Sequence, residues 1–200
     1  MITAHDAGGL HVITLNRPEK ANALTEAMLS ALADAVGKAA QAKHPAIALT
    51  GAGRVFSAGA DLDGMAAGLG TSPEWARATQ ALAAYPGLTV AALNGTLAGG
   101  AFGLALACDL RVAVPAAQFF YPVMKRGYLP QKADPARLAA LIGPSRAKMI
   151  LLAGARITAD QALGWGLVDV VAEDALAAAH ALCADAIAAG SHGAAIKALF

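Results

Sequence analysis

Charge is scarce in this sequence and nearly balanced in sign. Only 14% of the 200 residues are charged, and 15 basic side chains stand against 14 acidic ones, for a net charge of +1. Such a chain has no general field that attracts phosphate backbones or anionic lipids, so neither nucleic acid nor a membrane is expected as a partner. With 57% hydrophobic residues, the sequence is also too apolar to be disordered.

Cysteines and targeting signals are few as well. Cys108 and Cys183 lie in apolar helical contexts without metal-ligand spacing, which predicts free thiols and a reducing compartment. The first residues lack the basic region and long apolar stretch of a signal peptide. The five histidines are interpreted as surface residues, and no metal is predicted. Together these features predict a cytoplasmic protein.

One stretch, residues 78–108, contains no charged residue and is long enough to cross a bilayer. Turn residues interrupt it at Tyr85-Pro86-Gly87 and at Asn94-Gly95. We therefore expect a short buried strand at 88–93 rather than a transmembrane helix.

Strand and helix patterns alternate along the chain. Strands are predicted at 10–15, 46–50, 88–93, 110–114, 119–123 and 168–171. Helices are predicted after Thr25, after Ser72-Pro73-Glu74, at about 99–107, near Pro135, Ser145 and Thr158, and at 173–189. This alternation indicates an α/β layer fold. No linker or internal repeat divides the chain, so one domain over residues 1–200 is predicted.

Two glycine-rich turns, at 51–65 and 94–109, each follow a predicted strand. In the second turn Gly99 and Gly100 precede a helix, whose first N–H groups have no partner within the helix. In the first, Ala58-Gly59-Ala60 leaves backbone N–H groups approachable. Two such donors can hold one carbonyl oxygen in an oxyanion hole. The alternative is that small residues only permit close helix packing, whereas a phosphate loop is disfavoured because no Gly-Lys-Ser/Thr follows.

Together these segments resemble the crotonase, or enoyl-CoA hydratase/isomerase, superfamily over nearly the whole chain. The matching motifs are Leu15-Asn16-Arg17-Pro18-Glu19-Lys20, GRVFSAGADL, the NG, GG and ACDLRVA run, Lys125-Arg126-Gly127, and Gly166-Leu167-Val168. The resemblance implies repeated ββα units in spiral sheet layers at 1–143 and a helical C-terminal part at 144–200. Family members usually continue with further helices, so the chain is expected to be truncated relative to them.

The resemblance also implies an acyl-CoA ligand and a place in fatty acid metabolism. The thioester oxygen would lie between the N–H groups of the catalytic residues Ala60 and Gly100. The residues implied along the CoA path are Lys20, Ala21, Ala58, Asp61, Leu62 and Asp63. No separate cofactor is expected because CoA is part of the substrate, and a homo-oligomer, a trimer or dimer of trimers, is implied. For Asp61, capping of a short helix is an equal alternative.

The acids of the family are missing from this sequence. The two glutamate positions of its hydratases hold Gly103 and Val123, and the acid position of several isomerases holds Gln131. None of these side chains exchanges a proton at neutral pH.

Four residues are considered as replacements for those acids. Asp134 is interpreted as a helix N-cap before Pro135. Tyr121 and Lys125 are placed on the same face of a strand as Val123, with Lys125 in solvent. Asp63 is a further candidate.

The main hypothesis is therefore an enoyl-CoA hydratase/isomerase-like enzyme that stabilises a thioester enolate. The alternatives are an acyl-CoA decarboxylase, which needs no base to form the enolate, and a CoA-thioester-binding member without catalysis.

Overall fold

The computed structural model describes all 200 residues as two β-sheets and ten α-helices. The strands are β1 (Ile2–Ala7), β2 (Leu10–Leu15), β3 (Ala46–Gly51), β4 (Val55–Ser57), β5 (Leu88–Leu93), β6 (Thr96–Ala98), β7 (Leu110–Ala113), β8 (Gln118–Phe120), β9 (Arg156–Thr158) and β10 (Val170–Val171). The helices are α1 (Glu26–Gln41), α2 (Leu62–Ala66), α3 (Glu74–Ala83), α4 (Ala101–Ala107), α5 (Val123–Arg126), α6 (Asp134–Ile142), α7 (Pro144–Leu151), α8 (Ala159–Trp165), α9 (Ala175–Ala189) and α10 (His192–Lys197). Single 3₁₀ turns occupy Pro18–Lys20 and Leu69–Thr71.

The chain alternates between the two sheets. The larger sheet has the order β1-β2-β3-β5-β7-β10 and the smaller one β4-β6-β8-β9. Strands β3, β5 and β7 pair in parallel in the larger sheet, as β4, β6 and β8 do in the smaller one. A helix follows each pair of strands, because a parallel neighbour can be reached only by a crossover. The predicted fold of repeated ββα units is confirmed.

The central strands β3 and β5 of the larger sheet are buried on both faces, which explains their apolar runs. Ile47 and Leu49 of β3 belong to the main core, whereas Ala46 and Ala48 contact a second, smaller core. That second core also includes Ala175, Ala179 and Cys183 of α9. Alanine at these positions lets α9 approach the sheet closely, so the alanine-rich C-terminal segment covers one face of the sheet.

The long helix α1 forms as its sequence pattern predicts. The side chain of Thr25 accepts a hydrogen bond from the Met28 N–H at 3.2 Å and caps the helix. Leu29, Leu32 and Val36 are buried on the face that packs on the main core.

The chain around position 121 differs from its prediction. Strand β8 ends at Phe120, and Val123 begins the short helix α5. Pro122 has no N–H to donate to a neighbouring strand, so the predicted strand cannot continue through it. The prediction that Tyr121, Val123 and Lys125 share one strand face is therefore wrong: the first two are buried, and Lys125 is exposed.

The uncharged stretch at 78–108 is divided among α3, β5, β6 and α4. Among the helices of the structure, none combines the length and apolar character needed to traverse a bilayer. Both thiols are buried and free, and burial raises the pKa of Cys108 to about 12.

Candidate active site

A cavity of about 650 Å³ lies where the two glycine-rich turns meet. Residues from the β4–α2 turn, the β6–α4 turn and the segment from β8 to Gln131 line it. The predicted site residues that line it are Ala60, Gly100, Lys20, Ala21, Ala58, Asp61, Leu62, Asp63, Val123 and Gln131. Gly103 does not line the cavity; it is buried one turn further along α4.

Two glycines allow the turns to pack against each other. Gly59 has φ +93° and Gly99 has φ +56°, in the left-handed region that favours glycine. A Cβ on Gly59 would lie 2.8 Å from the Ala98 carbonyl oxygen and 3.3 Å from the Gly100 nitrogen. A larger residue at position 59 would therefore push the two turns apart.

The N–H groups of Ala60 and Gly100 are both without a hydrogen-bond partner in the protein. On either side of Ala60 the backbone is paired: the Leu24 N–H donates to the Gly59 carbonyl at 2.8 Å, and the Asp61 N–H donates to the Leu24 carbonyl at 2.9 Å. The Ala60 N–H, between these two hydrogen bonds in the sequence, has no acceptor in the protein. Because Ala60 and Gly100 both line the cavity, two unpaired donors border the same space.

The sequence does not identify Trp75 as a site residue, although it lines the cavity beside Gly100. A Cβ on Gly100 would lie 2.8 Å from the indole ring. The indole N–H donates to the Leu69 carbonyl at 2.9 Å, which fixes the ring. In the sequence Trp75 is one apolar position of an amphipathic helix and cannot be distinguished from an ordinary core residue.

Asp61 both lines the cavity and caps a helix. Its carboxylate accepts the Gly64 N–H at 3.0 Å at the start of α2 and lies 2.6 Å from the Arg17 guanidinium. The hydrogen bond from Arg17, followed by that from Gly64, lowers the pKa of Asp61. The capping alternative is thus confirmed, and the carboxylate is tied to two protein groups.

Positive charge at the cavity comes from Lys20 and Arg126, both exposed. The sequence does not identify Arg126 as a site residue, because its place depends on helix α5, which the sequence pattern does not indicate. Leu129, which is also exposed, lines the same cavity.

Asp134 is not the helix N-cap that its sequence context suggests. It is the first residue of α6, is 1% exposed, and follows the cap residue Ala133. Its Oδ2 accepts the Tyr121 hydroxyl at 2.9 Å, while Oδ1 has no partner. A Cβ on Gly103 would lie 2.7 Å from that Oδ1. The cap does not form because Gly103 leaves space on α4, and the Asp134 carboxyl fills it.

Burial changes the acidity of this pair. It raises the pKa of Asp134 to about 7, against the opposing effects of the Tyr121 hydrogen bond and the Arg137 charge. It also raises the pKa of Tyr121 well above 10. The Tyr121 hydroxyl accepts the Gln131 N–H at 3.3 Å, and the Gln131 side-chain amide donates to the Gly70 carbonyl at 3.0 Å.

A second polar cluster lies away from the cavity, at Asp6, His11 and His44. His11 Nδ1 is 2.6 Å from the Asp6 carboxylate, and the two imidazole rings stack with centroids 4.3 Å apart. Both histidines are half-buried rather than fully exposed. Because each nitrogen lone pair lies in its ring plane, two nearly parallel rings do not aim at one metal ion.

The chain is similar to known proteins over most of its length. The family model described as enoyl-CoA hydratase/isomerase matches residues 5–199. A Mycobacterium leprae protein named as a probable enoyl-CoA hydratase, echA6, is 38% identical over 189 residues, covering 92% of this chain and 76% of that protein. The 1,2-epoxyphenylacetyl-CoA isomerase of Escherichia coli K12 is 33% identical over 86% of this chain and 70% of its own.

Solved structures agree with the sequence relatives. Pseudomonas aeruginosa DspI superposes with a TM-score of 0.91 at 32% identity, covering 99% of this chain and 85% of that one. An enoyl-CoA hydratase from Polaromonas sp. JS666 gives a TM-score of 0.86 at 30% identity, covering 94% and 77%.

Proposed function

The chain belongs to the enoyl-CoA hydratase/isomerase family, and from this premise we propose that it binds an acyl-CoA thioester with the carbonyl oxygen between Ala60 and Gly100. As an enzyme of the hydratase/isomerase type, it acts by stabilising the thioester enolate. The observation that carries the proposal is the pair of unpaired backbone N–H groups on one cavity.

These donors suit an oxygen that gains negative charge. They are held by packed turns, so they need no reorganisation when the enolate forms, and one such donor is typically worth about a hundred- to a thousand-fold in rate. The preceding glycines, Gly59 and Gly99, hold the two turns in contact.

The remaining lining fits the rest of the ligand. Lys20 and Arg126 provide positive charge for the phosphates of CoA, and Ala58 and Ala21 leave room for its pantetheine arm. Trp75, Phe120, Val123 and Leu129 offer an apolar surface to the acyl chain. CoA enters as part of the substrate, so the proposal includes no separate cofactor.

The choice among reactions depends on the proton donors and acceptors. Val123 and Gln131 line the cavity without an acidic group, and Gly103 has no side chain. Water activation by a pair of glutamates is therefore not proposed. The favoured reaction is a proton shift along the acyl chain, and the second candidate is decarboxylation of a malonyl-type thioester, in which loss of carbon dioxide forms the enolate without a base.

The test is mass spectrometry of a thioester panel incubated with the purified protein in heavy water. Saturated, 2-enoyl, 3-enoyl and malonyl-type CoA esters distinguish hydration, double-bond shift, exchange and decarboxylation by mass and retention. Deuterium uptake or double-bond movement supports the proposal, and loss of carbon dioxide favours the second candidate. Binding of CoA esters without any change would indicate a member without catalysis, and absence of binding would contradict the whole proposal.

We also propose a cytoplasmic homo-oligomer, a trimer or dimer of trimers. Exposed apolar side chains outside the cavity, such as Met124, Met149 and Leu152, offer surface for a second copy. Light scattering coupled to size-exclusion chromatography of the purified protein gives the subunit number directly. A monomer at micromolar concentration would contradict the oligomer.

A further inference from the structure

Asp134 has an unsatisfied oxygen in the protein interior. Buried carboxylate oxygens normally have hydrogen-bond partners, because leaving one without a partner is costly. Asp134 is 1% exposed, and its Oδ1 has none. Asp61, by contrast, is committed to Arg17 and to the Gly64 N–H. Asp134 is therefore the carboxyl beside this site that is buried and still has an oxygen without a hydrogen-bond partner.

The position of Asp134 relates it to the two unpaired donors. Its Oδ1 contacts α4 at Gly103, where a Cβ would approach within 2.7 Å. Gly103 lies three residues after Gly100, about one turn along the same helix face. The Asp134 carboxyl of α6 thus contacts α4 about one turn after the Gly100 N–H.

Tyr121 connects the carboxyl to the cavity. Its hydroxyl donates to Asp134 Oδ2 at 2.9 Å and accepts the Gln131 N–H at 3.3 Å. Both Tyr121 and Gln131 line the cavity, whereas Asp134 does not. One lone pair of the hydroxyl oxygen is left for a group of the ligand.

We infer that Tyr121 and Asp134 form the proton-transfer pair of this site, with Tyr121 as the catalytic residue and Asp134 as the positioning residue that acts through it. The inference rests on the proposed function and deepens it. A proton leaves C2 of the acyl chain for the Tyr121 oxygen while the hydroxyl proton passes to the Asp134 carboxylate. The C–H electron pair moves into the enolate, and the reverse transfer returns a proton to C2 or, in an enoyl chain, to C4.

The surroundings of Asp134 match this role. Burial raises its pKa to about 7, near the value that suits a general base at neutral pH. The ionisable groups that influence it are Tyr121, at the turn before α5, and Arg137, on its own helix. Helix α4, which it meets at Gly103, contains no charged residue. Arg137 Nη1 is itself buried without a partner.

The test measures deuterium exchange at C2 of a saturated acyl-CoA between pH 5 and 9. We compare the natural protein with Asp134→Asn, which cannot ionise, and Tyr121→Phe, which lacks the hydroxyl. Matched controls are Asp185→Asn on the exposed face of α9 and Tyr85→Phe, whose buried hydroxyl donates to the His44 carbonyl. In the natural protein the rate is expected to rise with pH to a plateau with a midpoint near 7.

Both site variants are expected to lose about a hundredfold or more of the exchange rate, with acyl-CoA affinity kept within a few-fold, while both controls keep rate and midpoint. Circular dichroism establishes folding; if one site variant does not fold, the other decides the matter. Unchanged rate and midpoint in the folded site variants would overturn the pair while leaving the proposed function intact. A natural protein that exchanges no thioester at any pH would overturn the pair together with the proposed activity.

Discussion

At the scale of single residues, Gly100 satisfies two constraints at once. Its N–H is unpaired at the cavity, and its missing side chain makes room for the Trp75 ring. Its φ of −60° is also a value that proline adopts. Proline can therefore remove the donor without changing φ at position 100, whereas alanine keeps the donor and meets the same ring.

We expect Gly100→Pro to lower kcat/KM by about a hundred- to a thousand-fold relative to Gly100→Ala. Both variants place a Cβ 2.8 Å from Trp75, so their comparison cancels that contact and leaves the replacement of the N–H by the proline ring. The measurement is steady-state turnover of whichever thioester reacts in the panel. Equal kcat/KM values for the two variants would mean that the Gly100 N–H does not contribute to the oxyanion hole.

Asp134 gives a second prediction at this scale, on stability. Its folded-state pKa of about 7 lies above the ordinary value of 3.8, so the folded state holds the proton more tightly than the unfolded one. The contribution of Asp134 to the free energy of unfolding is greatest at acid pH. It falls by about 4 kcal/mol in all as pH rises from about 4 to 7. Asp134→Asn removes this dependence, because an amide does not ionise.

Urea unfolding at several pH values tests this prediction. The free energy of unfolding of Asp134→Asn, minus that of the natural protein, is expected to increase from pH 4 to 7 and then level off. Taking the difference cancels the titration of other carboxyls, and Asp185→Asn, an exposed change of the same type, should give a flat difference. Parallel curves for Asp134→Asn would show that the carboxyl titrates normally.

The role of Gly100 can be predicted from the sequence, whereas that of Asp134 cannot. Two glycine-rich turns after strands indicate where N–H groups become available, and the family resemblance selects Ala60 and Gly100. Asp134 before Pro135 has the pattern of a helix cap, and the sequence predicts that role rather than a buried acid. Only the contact with Gly103, distant in sequence, decides between them, and a local pattern contains no information about such a contact.

At the scale of elements, helices α4 and α6 meet through the Gly103–Asp134 contact. A side chain at 103 would occupy the space of the Asp134 carboxyl, so the two positions constrain each other. We expect Gly103→Ala to reduce the free energy of unfolding by about 1 to 3 kcal/mol. In an Asp134→Ala background the same change should cost much less, because the clash is gone.

A double-mutant cycle of these changes, measured by urea unfolding, gives the coupling directly. Gly37→Ala is a suitable control, because Gly37 lies on α1 with no atom within 4 Å of an added Cβ. Its effect on the free energy of unfolding, expected to be a gain of about 1 kcal/mol in a helix interior, should be the same with and without Asp134. Additive effects of Gly103→Ala and Asp134→Ala would mean that the two helices do not meet as described.

Elements differ in how well their sequences predict them. The buried strands β2, β3 and β5 and the amphipathic helix α1 follow from apolar patterns over six residues or more. Strands β4 and β6 have three residues each, too few for an alternation to appear. They exist because the neighbouring turns bring them into one sheet, which is a tertiary effect.

At the scale of the whole molecule, the cavity is assembled from distant parts of the chain. Lys20, Ala60, Gly100 and Gln131 come from four different segments. The parallel pairing of β3 with β5 and of β4 with β6 brings the two turns to the same end of the sheets. The family resemblance predicts which residues form the site. The approach of these segments follows from the order of strands in the sheets, which the sequence alone does not give.

Because the cavity requires all of these segments, a ligand that fills it should stabilise the fold as a whole. At a free concentration of about a hundred times Kd, binding adds about 2.7 kcal/mol to the folded state. For a chain of this length we expect a rise in Tm of about 5 to 10 °C with a bound acyl-CoA. Differential scanning fluorimetry across a concentration series measures it, and the rise should continue logarithmically beyond saturation.

The two cations at the cavity should contribute to the rise in Tm that a bound acyl-CoA produces. Lys20→Ala combined with Arg126→Ala removes both exposed cations from the lining, so the Tm rise at fixed ligand should shrink and depend less on salt. Lys148→Ala, an exposed lysine on α7 outside the cavity, should leave the rise unchanged. If the double variant keeps the full rise and its salt dependence, the phosphates of CoA lie elsewhere, and the CoA path proposed through Lys20 is wrong.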